Sequence, residues 1–358
     1  MKILHAAETI KGGVATVITQ LITNSSGKVD MYCLIPFQQQ AELNTASCHK
    51  IFFQRKKRGI LAFVLFFYNF TKLIWKIRPD IVHLHSSFAG FLGRISLVIL
   101  YPWRRPKVVY CPHAFSFLIS TSVFKKKCYI FIEKLLLIRT SKVICVSKFE
   151  KDQAIRHGLP QSKLEVIYNG VSIPADINGK EKADIENKIQ LLYVGRFDYQ
   201  KGFDIILELA NRMNPDRFQL TVVGDFVNDH KYNIDNNLIT YVGWLTSQEL
   251  SNYYRNTHIV IVPSRWEGFA MVPLEAMSYK KVVIAANTTS LPEAVVDGET
   301  GYLFDIENIE QLISIVNKID RKSLCEMGIN GYQRYLHYFT SDVMTNNTIQ
   351  LYNQLMIK

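Results

Sequence analysis

Two glutamates, Glu267 and Glu275, stand eight positions apart in SRWEGFAMVPLE (264–275), separated by a glycine, large apolar residues and a proline. Eight residues at helical rise span about 12 Å, and more where part of the stretch is loop. Retaining glycosidases hold their two carboxyls about 5 Å apart and inverting ones about 6.5–9.5 Å apart, so this pair does not fit a hydrolase couple. Carboxylates accept hydrogen bonds from sugar and ribose hydroxyls, and a nucleotide sugar is long enough to meet one acid at each end with its diphosphate between them. A second charged group, Arg196 and Lys201 in GRFDYQKG, flanks a turn, where both cations can reach one diphosphate through charge-assisted bonds. No Asp-x-Asp occurs in the chain. Leaving-group charge would then be neutralised by these cations and by helix amides, with no metal ion and no cofactor.

The elements that must position these groups follow from periodicity. The apolar run HIVIVPS predicts a strand that delivers Ser264 to Glu267 to its carboxyl end. Pro273 suits the first turn of a helix, where its missing N–H costs nothing. With a helix starting near Met271, the amides of Gly268, Phe269, Ala270, Met271 and Val272 make an anion site reinforced by the helix dipole. Arg196 and Lys201 follow another predicted strand, LLYVG. Strands are also read in MKILHAAE, VDMYCLIP, PDIVHLHS, PKVVYCPH, SKVICVS and KLEVIYNGV in the first half, and in RFQLTVVGD, LITYVGWL and KKVVIAAN in the second, with helical segments between most of them. Alternation of this kind predicts an α/β protein of two successive doubly wound domains, with ligands outside the carboxyl ends of the strands and a cleft between the domains as the expected site. The predicted boundaries are a first domain over 1–171, a polar linker over 172–188, a second domain over 189–339, and a helix over 340–358 that packs back on the first domain.

At 358 residues and 48% hydrophobic, the chain can fill two cores of ordinary size. Its six cysteines show no metal-ligand spacing, which points to reduced thiols. MKILHAAETIKGG lacks the apolar core of a signal peptide, and the nearest candidate for a membrane span, ILAFVLFFYNF at 60–70, is eleven residues, so a cytoplasmic location is expected. Charge is uneven: residues 1–175 hold 25 Lys and Arg against 8 Asp and Glu, a net of +17, and the remainder is acidic. The basic runs QRKKRG (54–59) and FKKKCYIFIEKLLL (124–137) set cations beside apolar residues, the pattern of a surface that sits on the anionic inner face of a membrane. No nucleic-acid module signature accompanies the charge.

Gly12-Gly13, YVGRFDYQKGFD, VPSRWEGFAMVPLEAMS and LPEAVVDGETGYLF together make the chain resemble glycosyltransferase family 4, retaining enzymes of GT-B fold. The resemblance covers nearly the whole chain and is strongest over 189–304. It implies that Arg196 and Lys201 hold the donor diphosphate, Glu267 contacts the transferred sugar and Glu275 binds the ribose. By the same likeness, Gly12 and Gly13 let the first loop approach donor phosphate and acceptor, and His113 touches the donor sugar from the opposite domain. The activity implied is metal-independent transfer of a hexose from a UDP- or GDP-linked donor to a lipid-linked glycan, in O-antigen or capsule synthesis. Ala270 departs from the pattern, standing where a second glycine is frequent; Lys280 and Val282 replace a frequent Gly and Pro. His83 and His85 alternate along DIVHLHS and so face the same way, with a core and a functional role both open. A nicotinamide oxidoreductase would need Gly-x-Gly-x-x-Gly after its first strand, and the chain lacks it there. A non-catalytic membrane-associated protein that holds a nucleotide sugar is the other alternative.

Overall fold

The computed structural model describes residues 1–358 except 26, 28, 44, 56–58, 101–102, 120, 176–187, 227–238 and 358. The chain divides into two compact units, Met1–Ser172 with Ser341–Lys358, and Ile173–Thr340. Most of the segment expected to be a linker, 172–188, lies outside the described residues.

The first unit runs β1 (Lys2–Ala7), α1 (Gly13–Asn24), β2 (Asp30–Pro36), β3 (His49–Phe53), α2 (Ile60–Ile77), β4 (Ile81–His85), α3 (Ser87–Ile99), β5 (Lys107–Cys111), α4 (Val123–Leu136), β6 (Lys142–Cys145), α5 (Lys148–Arg156) and β7 (Leu164–Val166). Its seven strands are ordered β3-β2-β1-β4-β5-β6-β7, each neighbouring pair parallel. Strand order reverses between β1 and β4, the place where sheets of this kind open a crevice. Leu4, Ala6, Val82 and Leu84 face one side and share a core with Phe66 and Phe70 of α2 and Leu97 of α3. Burial on both faces explains why these strands read as nearly continuous apolar runs.

The second unit follows with β8 (Ile189–Val194), α6 (Phe203–Arg212), β9 (Phe218–Val223), β10 (Ile239–Gly243), α7 (Ser247–Asn256), β11 (Ile259–Val262), α8 (Met271–Ser278), β12 (Val282–Ala286), α9 (Leu291–Ala294), β13 (Gly301–Phe304), α10 (Ile309–Lys318) and α11 (Arg321–Tyr338). Its sheet is also parallel, in the order β10-β9-β8-β11-β12-β13, with the reversal between β8 and β11. The last helix, α12 (Ser341–Ile357), belongs to the first unit and packs on α1. Asn24 ties the two together by donating to Ser341 Oγ and Asp342 Oδ1, both at 3.0 Å.

Two strands were not read from the sequence. β3 and β13 are both edge strands, β3 mostly half-exposed and β13 only four residues opening on a glycine. Neither therefore shows the continuous apolar run that marks a central strand. Helix α2 also differs from expectation: it extends through Lys72 and Lys76 to eighteen residues, long and apolar enough by length and composition to cross a membrane. Phe66, Phe70, Leu73 and Ile74 on one side of it are nonetheless buried in the core of the unit.

Candidate functional site

In the second unit, the loop after β8 and the segment after β11 meet at the reversal point of the sheet. The β8 loop is pinned from inside, with Phe197 stacked on Phe203 (ring centroids 4.0 Å apart) and the Tyr193 hydroxyl donating to the Arg196 carbonyl at 2.8 Å. Gly202, at φ 66°, brings the loop against β11, because a Cβ there would sit 2.0 Å from the Pro263 carbonyl oxygen. Only glycine meets both demands. The Arg265 amide then donates to the Gln200 carbonyl at 2.8 Å, locking the two segments together.

Lys201 and Glu267 come together across this seam, Nζ to Oε1 at 2.5 Å, with side chains 24% and 10% exposed. Asp198 Oδ1 accepts from the Lys201 amide at 2.9 Å, and Asp198 Oδ2 pairs with Arg196 Nε at 3.0 Å. Gln200 bridges the rest: its Oε1 accepts from Arg196 at 2.7 Å and its Nε2 donates to the Trp266 carbonyl at 3.1 Å. Glu267 is fixed at the backbone as well, its amide donating to Thr289 Oγ1 at 3.1 Å. Thr289 itself holds φ at 45°, a strained value for a β-branched residue, of the kind that concentrates at functional sites.

Helix α8 begins at Met271 after Ala270, whose backbone is extended (φ −69°, ψ 136°), and no side chain caps it among the described residues. Its first amides have no acceptor within the helix, so the Gly268–Val272 stretch leads into an uncapped, positive helix end. Phe269 and Ala270 are buried there. Glu275, one turn further, accepts from the Tyr254 hydroxyl of α7 at 2.7 Å. Burial raises the Glu275 carboxyl above its usual range, against the opposing effect of the Tyr254 bond, and burial together with that carboxylate holds the Tyr254 hydroxyl well above its own. Glu267, Lys201 and Arg196 thus form one network, whereas Glu275 is held by a separate partner.

The first unit carries the remaining expected residues. Gly12 precedes α1 at φ 56°, with nothing within 4 Å of where a Cβ would lie, and Gly13 opens the helix. His113 and Ala114 follow β5 with φ of 54° and 112°. Buried Glu150 holds this turn by accepting from the amides of Ala114 and Phe115, both at 3.1 Å, and from Val146 at 2.7 Å. His113 Nε2 lies 3.1 Å from His85 Nδ1, and His85 Nε2 lies 3.0 Å from His5 Nδ1. His83 Nδ1 meets the Tyr352 hydroxyl of α12 at 2.5 Å. Burial lowers all four imidazoles, His5 and His113 to about 4 and His83 and His85 well below 6.5.

Sequence reasoning missed Asp198, Gln200, Thr289 and Tyr254 around the acids and cations, and His5 and Tyr352 in the histidine group. Asp198 and Gln200 lie inside GRFDYQKG and had a signal, since a polar residue next to a cation can pair with it and orient it. Tyr254, Thr289 and Tyr352 had none, because each meets its partner through tertiary packing.

The family model for Glycosyl transferases group 1 matches residues 176–334, and that for Glycosyltransferase Family 4 matches residues 11–173. An uncharacterized 41.2 kDa protein in the cps region of Klebsiella pneumoniae is 35% identical over 98% of this chain and 99% of its own. The UDP-Gal:alpha-D-GlcNAc-diphosphoundecaprenol alpha-1,3-galactosyltransferase of Escherichia coli is 29% identical over 80% of this chain and 78% of its own. Among solved structures, Anabaena HepE in complex with UDP and glucose superposes with a TM-score of 0.82 at 18% identity, covering 99% of this chain and all of that one. Sucrose-phosphate synthase of Thermosynechococcus elongatus does so with a TM-score of 0.82 at 20% identity over 100% of this chain and 99% of that one. At such identities the superpositions establish the fold, two parallel-sheet α/β domains of the GT-B type.

Proposed function

The chain belongs to glycosyltransferase family 4, and from that membership we propose a retaining, metal-independent hexosyltransferase of surface-polysaccharide biosynthesis, acting in O-antigen or capsule assembly. Its donor is a UDP- or GDP-linked sugar and its acceptor a lipid-linked glycan. The observation that carries this proposal is the Lys201–Glu267 pair, set with Arg196 at the reversal point of the second sheet. An acid that can hold sugar hydroxyls and two cations that can hold phosphate are what such a donor needs side by side.

The donor diphosphate lies against the uncapped start of α8, where amides and helix dipole favour negative charge. When the bond between the anomeric carbon and the diphosphate oxygen breaks, the electron pair leaves with the diphosphate, and Arg196, Lys201 and the helix amides stabilise the charge that develops. The acceptor hydroxyl gives its proton to the departing phosphate oxygen, and its own oxygen bonds to the same face of the anomeric carbon, so configuration is retained. Glu267 accepts from hydroxyls of the transferred sugar and Glu275 from the ribose. Because side-chain cations and amides supply the positive charge, turnover is expected to be unchanged on adding Mg²⁺ or Mn²⁺.

Location at the anionic inner face of the membrane is part of the same proposal, supported by the first unit. Ile60, Leu61, Val64 and Tyr68 are exposed along α2, in line with Lys72 and Lys76. Phe124, Phe131, Leu135 and Ile138 are exposed along α4 and after it, and the same helix carries Lys125, Lys126, Lys127 and Lys134. Apolar stripes edged with lysine combine burial among lipid tails with attraction to acidic headgroups. Of the two basic runs, 54–59 lies partly outside the described residues.

A thermal-shift screen of UDP, GDP and their sugars identifies the donor, and transfer is then followed with that donor. Lys201→Ala and Glu267→Ala are each expected to abolish transfer while the melting temperature stays within a few degrees. Near-normal turnover in either variant refutes the assignment, and donor binding with neither hydrolysis nor transfer by the wild type favours a non-catalytic binding protein.

A further inference from the structure

The parallel register of β1 and β4 sets His5 opposite His83, and His85 follows two residues on, so three imidazoles share one face of the first sheet at its reversal point. That face is covered by α1 and α12, and all three side chains are buried. The corresponding positions on the opposite face are Leu4, Val82 and Leu84, ordinary core residues. Each histidine offers a ring nitrogen, and the three nitrogens lie within 4.8 Å of one another. His83 Nε2, the atom of that ring turned away from Tyr352, makes no hydrogen bond among the described residues although it is fully buried. A packed core does not leave polar nitrogens in this condition without a reason.

We propose that His5, His83 and His85 form a binding site for a divalent transition-metal ion of the zinc class, inside the first unit, its three ligands not among the residues assigned to sugar transfer and one of them, His85, hydrogen-bonded to His113, which is. Neutral imidazole suits such ions and does not suit Mg²⁺ or Ca²⁺, which take oxygen ligands. Nitrogens of a tetrahedral zinc site stand about 3.3 Å apart, given Zn–N of about 2.0–2.1 Å. The 3.0 Å between His5 Nδ1 and His85 Nε2 is close to that edge, so the ion takes the place of the hydrogen bond between them, the ring proton shifting to the other nitrogen of the same imidazole, and His83 Nε2 closes the third position. Two of the three outer ring nitrogens already have the partners that metal-binding histidines use, the Tyr352 hydroxyl on His83 Nδ1 and His113 Nε2 on His85 Nδ1, while His5 Nε2 has none among the described residues. A small cavity of ≈ 10 Å³, about the space of one water, borders His83 and His85 on the side of His113.

The test uses the full chain, dialysed against chelator and titrated with Co²⁺ and then Zn²⁺. One equivalent of Co²⁺ is expected to give the intense visible ligand-field bands of a tetrahedral site, and Zn²⁺ to bleach them. His83→Gln is expected to weaken binding more than about 10-fold. Tyr352→Phe, which removes one hydroxyl and keeps the core filled, is expected to weaken it less but measurably. His49→Gln, at an exposed position, is expected to leave it unchanged. Should the core variants fail to fold, the wild type decides alone, through a rise in melting temperature with Zn²⁺ over chelator that Mg²⁺ does not reproduce. Absence of the bands at one equivalent, bands insensitive to His83→Gln, or a melting temperature indifferent to Zn²⁺ overturns the proposal. None of these readouts depends on transferase activity.

Discussion

Replacing Glu267 by Gln is expected to separate binding of the leaving group from catalysis. In the free protein Lys201 is held by Glu267 at 2.5 Å, with the two side chains 24% and 10% exposed. At an effective dielectric of about 20, unit charges 4 Å apart interact by about 4 kcal/mol. Solvent screening of a partly exposed pair reduces this to about 1–2 kcal/mol. Glutamine keeps the shape and a hydrogen bond but releases that hold and removes a negative charge from beside the diphosphate. The nucleoside diphosphate that the wild type binds should therefore bind Glu267→Gln about 5- to 30-fold more tightly. Turnover should move the other way, by about 10²- to 10³-fold, because contacts to the transferred sugar that strengthen in the transition state supply several kcal/mol. Calorimetric titration of UDP and GDP, initial rates with the matching sugar donor, and a thermal melt as folding control measure the three quantities. Unchanged or weaker diphosphate affinity together with near wild-type turnover would refute the reasoning, because the pair would then belong to the scaffold and not to the donor site.

Tyr254→Phe leaves the partly buried Glu275 carboxylate without its hydroxyl donor and is expected to cost about 1–3 kcal/mol. The Glu275 pKa is already raised by burial and rises further in the variant; ionised Glu275 therefore destabilises the fold as pH climbs from the unfolded value, near 4.5, through the folded one. Urea denaturation should accordingly show a larger loss at pH 7 than at pH 5, and an equal loss at both contradicts it. Gly202→Ala sets a Cβ against the Pro263 carbonyl at positive φ and is expected to destabilise by about 2–4 kcal/mol and to depress turnover by displacing Lys201, both read from melts and initial rates. Phe124→Ser with Phe131→Ser alters exposed positions of α4, so stability should change by less than about 1 kcal/mol while flotation with anionic vesicles falls at least about 10-fold. Equal recovery of the wild type with neutral and anionic lipid would contradict the charge argument behind that last expectation.

Much of the architecture was legible because strands buried on both faces and helices buried on one write different periods into the chain. The start of α8 at Met271 and the break between α11 and α12 could be read directly, the first from Pro273 after an apolar strand and the second from Thr340–Asp342. β3 and β13 could not, since an edge strand is half solvated and needs no continuous apolar run. The chemical types at the candidate site were equally open to reading: acids, cations and a helix start, each at a strand end.

What the sequence by itself determined was therefore the inventory, two doubly wound units, the loops that carry Arg196, Lys201 and Glu267, and the helix that carries Glu275. Only the tertiary structure decided which of these groups share a partner. Lys201 and Glu267 are paired because Gly202 lets one loop lie against the end of β11, whereas Glu275 is claimed by Tyr254 of a different helix. The same holds for His5 and His83, 78 positions apart, which parallel pairing of β1 and β4 sets side by side. Periodicity is a property of neighbours along the chain, and hydrogen bonds and ion pairs act over a few ångströms in space, so no local pattern could announce which distant side chains the sheet register would bring into reach.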